Sequence, residues 1–257
     1  MEAEAALKNL DLWRIPVDPF EVARKEGIEL LPGEFSDGFD GRIRFIKEIS
    51  CFAISYRRTG FRRSEGRVRF TLAHELGHYY LHRKYLLTGE CHSSVTNFVS
   101  KDQMEVEADK FAAALLMPME LFRKRINVLR SRVADLSDLV KLANNEFQTS
   151  ITSTVRRYCT SDVEPCGAIF SRDGIVQWCH FSEDMRLSGM GYYPFGSQLP
   201  GESITVGKLA QSTGGEIVSG AVKPWKWFDN PRHDGYLWEE AMPLGNTGLV
   251  LTYLTLQ

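Results

Sequence analysis

The amino-acid sequence predicts an α+β protein. Helix-periodic stretches dominate the first 160 residues, several with recognisable start and stop residues, and short apolar runs at 28–31, 41–46 and 51–56 interrupt them. From about Val163 the character changes to strands and turns. The 257 residues, 43% apolar, suffice for one large or two modest cores. A formal net charge of −2 gives no global pull toward nucleic acid or membrane. The acidic, alanine-rich start lacks a charged-then-apolar signal pattern, and no apolar run is long enough to span a bilayer. The five cysteines are odd in number and form no CxxC pair, so a soluble cytoplasmic protein with reduced thiols is expected.

Taken in order, residues 2–9 read as a short helix. Val17–Gly27 reads as a helix with Asp18 at the N-cap, Pro19 in the first turn and Gly27 as the stop. The three apolar runs then give a small antiparallel sheet ahead of a long helix beginning near Val68. Met104–Met117 is a strong helix-forming run that Pro118 ends, and Met119–Arg132 is helical again. Leu136–Tyr158 has helix-turn-helix spacing: an apolar helix, a break at Asn144-Asn145, a cap at Thr149 or Ser150, and a second helix exposing Thr152, Ser153, Thr154, Arg156 and Arg157. Arg172-Asp173-Gly174 joins two strand-like runs as a hairpin. Residues 189–201 are loop-like, a helix opens at Ser203, and strand-like runs return at 215–222 and 247–256.

The chemistry concentrates in His74-Glu75-Leu76-Gly77-His78, an HExxH pentapeptide inside an apolar-periodic stretch with no proline before Pro118. Histidines four apart on a helix leave the same face and can grip one zinc ion. Glu75 then faces the metal's water as general base for peptide hydrolysis. A third ligand is needed, because catalytic zinc usually takes three protein ligands. Glu105 heads a helix whose small residues Ala108 and Ala112 share its face and permit close approach to the motif helix. Glu107 competes, but two helical steps rotate it about 200° away. Glu105 is therefore taken as the ligand, and Asp109, on its side, can orient a ligating histidine.

Arg69-Phe70-Thr71-Leu72-Ala73 with the pentapeptide, followed by Glu105-x-Glu107-Ala108-x-x-Phe111-Ala112-Ala113-x-Leu115-Leu116-Met117-Pro118, resembles the ImmA/IrrE family of bacterial metallopeptidases across about residues 67–120. The resemblance implies a zincin-like cytoplasmic enzyme with zinc on His74, His78 and Glu105 and with Glu75 as acid/base. It implies a helix-turn-helix transcriptional repressor as substrate, cleaved to switch on mobile-element, stress-response or defence genes. Some family members carry a GAF-like C-terminal sensor. The expected domains are thus a peptidase at 1–125, a helix-turn-helix-like segment at 126–162 and a GAF-like sensor at 163–257, with single-stranded DNA or a small molecule as candidate activator.

Several features carry two readings each. In zincin-type proteases an edge strand binds the substrate backbone, and Cys51–Tyr56 is either that edge or an ordinary core strand. Arg57, Arg58, Arg62, Arg63 and Arg67 lie within eleven residues, as a phosphate-binding patch or a solvated loop. In the linker, Cys91 is either an inhibitory fourth zinc ligand or a loop cysteine without a role. His92 is a candidate for oxyanion stabilisation, and His82 is expected to pack or hydrogen-bond near the site. Arg156 and Arg157 suit phosphate contact, though bracing the protease or docking substrate suits the same helices. Trp225, Lys226 and Trp227 suit stacked bases or a small ligand, while core packing accounts equally for such aromatics. Cys159, Cys166 and Cys179-His180 fit no standard zinc spacing.

Overall fold

The computed structural model describes residues 2–35, 40–58, 65–88, 103–128, 133–209, 216–245 and 248–256. The chain forms two compact units, Met1–Phe122 with Leu142–Ser150, and Arg123–Lys141 with Ile151–Gln257.

In the first unit, α1 (Glu2–Asn9) and α2 (Pro19–Lys25) precede a three-stranded sheet. The Asp18 carboxylate accepts the Phe20 N–H at 2.9 Å and so caps α2, and Gly27, at φ +67°, ends its turn. Strands β1 (Glu29–Gly33), β2 (Gly41–Ile46) and β3 (Cys51–Arg57) lie in the order β1-β3-β2, with β1 parallel and β2 antiparallel to β3. The sheet is therefore mixed, not antiparallel. Of the two readings of Cys51–Tyr56, the core strand holds: it lies at the centre of the sheet, and β2 is an edge among the described residues. The run Phe52-Ala53-Ile54 is buried, as suits a strand flanked on both sides.

Helix α3 (Glu65–Thr88) is buried almost all round from Val68 to Tyr79, and α4 (Gln103–Leu116) packs along it. Gly77 makes this contact possible: a Cβ there would lie 2.9 Å from the Ala108 Cα. Buried Arg69 donates to the Val17 and Gln148 carbonyls, and the Tyr79 and Tyr80 hydroxyls both donate to Glu26. These bonds moor α3 to the chain before and after it.

Helix α5 (Met119–Val128) starts one residue after Pro118, and α6 (Leu136–Lys141) runs into a π-helical turn at Leu142–Phe147. The expected break at Asn144-Asn145 thus falls inside the turn, and the chain reverses at Gln148, φ +52°. Within the first unit Phe147 packs against Phe122, ring centroids 5.1 Å apart.

In the second unit, α7 (Ile151–Cys159) packs on β4 (Cys166–Arg172), which forms a hairpin with β5 (Ile175–Phe181). Helices α8 (Glu183–Leu187) and α9 (Ile204–Leu209) lead to β6 (Val218–Val222), β7 (Leu237–Pro243) and β8 (Leu249–Leu256). The five strands form an antiparallel sheet ordered β5-β4-β8-β7-β6. Ile169, Val176, Phe181, Met185, Trp227, Phe228, Leu237 and Leu254 make its core. The fully buried Glu239 carboxylate accepts from the Thr205 amide and hydroxyl and from the Trp227 indole N–H, at 2.6–2.9 Å.

Candidate metal centre

Helices α3 and α4 bring His74, His78 and Glu105 together. The histidines lie one turn apart on α3, both 1% exposed, and Glu105 reaches them from the first turn of α4. His74 Nε2 is 3.1 Å from His78 Nε2 and 3.1 Å from Glu105 Oε2, and His78 Nε2 is 3.4 Å from Glu105 Oε1. Among the described residues these three form a cluster whose ligand atoms all lie within 4.8 Å. Asp109 Oδ1 sits 2.8 Å from His74 Nδ1, so in the neutral ring the proton lies on Nδ1 and Nε2 is the nitrogen turned toward His78 and Glu105. Two imidazole nitrogens and a carboxylate thus converge on one point. Their separations match the about 3.4 Å edges of a tetrahedron with ligand bonds near 2.1 Å. The donor set fits zinc.

Electrostatics favour positive charge at the same point. Burial opposes charging His74, but the bonds to Asp109 and Glu105 push its pKa up to about 9. Burial likewise opposes charging Glu105, and hydrogen bonds with His74 and His78 bring it down to about 2.

Glu75, also 1% exposed, is held by the sheet. The Ile43 N–H donates to Glu75 Oε2 at 2.8 Å. The Arg57 N–H donates to the Asp40 carbonyl, so alternate residues from Asp40 face β3, while Gly41, Ile43 and Phe45 turn their main-chain groups to the outer side of β2, an edge among the described residues. A Cβ on Gly41 would lie 2.5 Å from Thr71 Cγ2 and 3.2 Å from Glu75 Oε1. Gly41, Ile43 and Gly77 escaped sequence reading, since nothing local marks a close approach between distant elements.

The remaining candidates divide. His82 is buried and bonded to His78 and to Glu107, which is not one of the three clustered ligands. Arg67 pairs with Asp40 at 2.7 Å, the Arg57 guanidinium donates to the Phe35 carbonyl, and exposed Arg58 lines a cleft with Phe20, Tyr56, Glu65 and Val68. Cys91, His92, Arg62 and Arg63 lie outside the described residues. On α7, Arg156 is exposed and Arg157 half-buried, but Ser153 and Thr154 are buried, because that face packs inward. Trp227 is core at 3% exposure and offers no stacking face; Trp225 is 61% exposed, and Lys226 pairs with Glu202 at 2.8 Å.

Among known families, residues 62–157 match a peptidase family model. Its description is the IrrE N-terminal-like domain, and the match supports an ImmA/IrrE-type peptidase family, as the motifs implied. A solved structure of a Mycobacterium tuberculosis transcriptional regulator is similar in fold, with a TM-score of 0.64 at 14% identity over 99% of this chain and 74% of that one. No curated protein matches. No described helix is long and apolar enough to cross a membrane.

Proposed function

We propose that the protein is a zinc-dependent endopeptidase that cleaves a helix-turn-helix transcriptional repressor and so derepresses stress, mobile-element or defence genes. The convergence of His74 Nε2, His78 Nε2 and the Glu105 carboxylate, with Glu75 beside them, carries the reading. His74, His78 and Glu105 hold the zinc, and Asp109 orients His74. When bound, zinc acidifies a water and polarises the scissile carbonyl. Glu75 accepts the attacking water's proton and hands it to the departing amine. Extended substrate pairs with the outer edge of β2, through main-chain groups of Gly41 and Phe45 and the Ile43 carbonyl, the Ile43 N–H being already given to Glu75.

The C-terminal unit reads as the gate. Trp225 and Tyr236 are exposed beside Lys223, whose ammonium lies 3.8 Å from the Tyr236 ring centroid and 5.5 Å from that of Trp225. Such faces accept a stacked base of single-stranded DNA or a planar small molecule.

The test is mass spectrometry of a candidate helix-turn-helix repressor, after incubation with wild type or Glu75→Gln, with and without single-stranded DNA. A cut made by wild type, with Glu75→Gln slower by about 10²–10⁴-fold while keeping its zinc, is expected. Equal cleavage by both proteins would sink the assignment. An intact repressor under every condition would shift weight to a non-proteolytic regulator.

A further inference from the structure

We infer that His82 and Glu107 form a directed hydrogen-bond relay that positions His78 as a metal ligand. The inference rests on the metallopeptidase reading above. His82 Nδ1 lies 3.1 Å from His78 Nδ1, and His82 Nε2 lies 3.0 Å from Glu107 Oε2. His82 is only 4% exposed, whereas the Glu107 side chain is 41% exposed, so the chain of bonds runs from the cluster to the surface.

The protons follow by elimination. Two ring nitrogens in hydrogen-bond contact need one donor and one acceptor. His78 Nε2 faces His74 and Glu105 and must be bare to ligate, so His78 Nδ1 carries the hydrogen and donates. His82 Nδ1 is then the bare acceptor, and its hydrogen sits on Nε2, where Glu107 accepts it. The other Glu107 oxygen is held by the Gln103 amide at 2.6 Å.

The backbone supports the same conclusion. Helix α3 leaves helical geometry at His82, with φ −122° and ψ +18°. The departure falls on the residue whose ring must meet His78 on one side and α4 on the other. The two ligating histidines therefore differ in support: His74 donates directly to a carboxylate, and His78 donates to a neutral imidazole that passes the bond on. His82 and Glu107 are positioning residues, acting on the metal only through His78.

Zinc affinity is measured by chelator competition on the full chain, with the Co²⁺ absorption spectrum as a readout of ligand geometry. His82→Phe keeps the ring but removes the acceptor, and is expected to weaken zinc about 10–100-fold and shift the cobalt bands. His82→Asn, whose side-chain carbonyl can still accept, restores most of the affinity. Glu107→Ala, at the surface, weakens zinc less, and the double variant His82→Phe/Glu107→Ala matches His82→Phe alone, since the second link has nothing left to hold. Unchanged affinity in His82→Phe, or losses that simply add, overturns the relay. Failure of wild type to bind either metal overturns the reading beneath it as well.

Discussion

At the residue scale, a histidine outside the cluster sets a pH dependence. His180 on β5 is held down to about 4 by burial, with Arg156 and Arg186 adding repulsion. The unfolded chain, near the ordinary 6.5, takes up this proton first on acidification. Stability from this group is therefore full above about 6.5 and declines as pH falls toward 4. Discounted for partial exposure, the loss is about 1–2 kcal/mol. Tryptophan fluorescence melts at pH 7 and pH 5 should show a drop that His180→Asn reduces; an identical drop in both removes His180 as the cause. Individual residues also mark where sequence reading ends. His74 and His78 are legible because a four-residue spacing on one helix projects them to one side, and Glu105, on α4, is legible because it shares a face with the small residues Ala108 and Ala112. Trp225 and Trp227 are not separable that way: two positions apart around a single 3₁₀ turn, one is 61% exposed and the other 3%. Only the tertiary partner, Glu239 beneath the Trp227 indole, decides between them.

At the element scale, the separation of α3 and α4 depends on the absence of a side chain. Gly77→Ala would place a methyl 2.9 Å from the Ala108 Cα, and backbone cannot yield as a flexible side chain does. A loss of about 1–3 kcal/mol is expected, together with weaker metal uptake, because Glu105 moves with α4. Urea titration and chelator competition on the same samples check both, and a fully stable, fully metallated variant refutes the close contact. The edge of β2 gives a second prediction. Phe45→Pro and Phe45→Leu both lose the aromatic contact with Phe52, but only proline removes the outward N–H, a loss an edge strand tolerates. KM for a peptide substrate should rise about 2–10-fold for proline over leucine, the worth of one hydrogen bond. Equal KM values would place the substrate elsewhere. The strands themselves were legible from their apolar runs. Their order was not, because one buried run reads alike in a central strand and an edge strand.

At the scale of the whole molecule, the chain passes between its two compact units three times, at Phe122/Arg123, Lys141/Leu142 and Ser150/Ile151. The return segment contributes the Phe147 ring against Phe122 and the Gln148 carbonyl that accepts from Arg69. Phe147→Ala should destabilise the protein by about 3–5 kcal/mol, as for a fully buried aromatic, and a thermal melt that barely moves would contradict its place in that core. The amphipathic pattern of residues 136–158 was visible as two helices, but to which core each part belongs depends on contacts with distant residues. The order in which a ribosome delivers these pieces then has a consequence. Residues 142–150, which complete the first unit, emerge only after residues 123–141, which must wait for strands ending near Leu256. Neither unit can finish folding before part of the other has left the exit tunnel, so nascent chains stalled before residue 142 should hold an immature first unit.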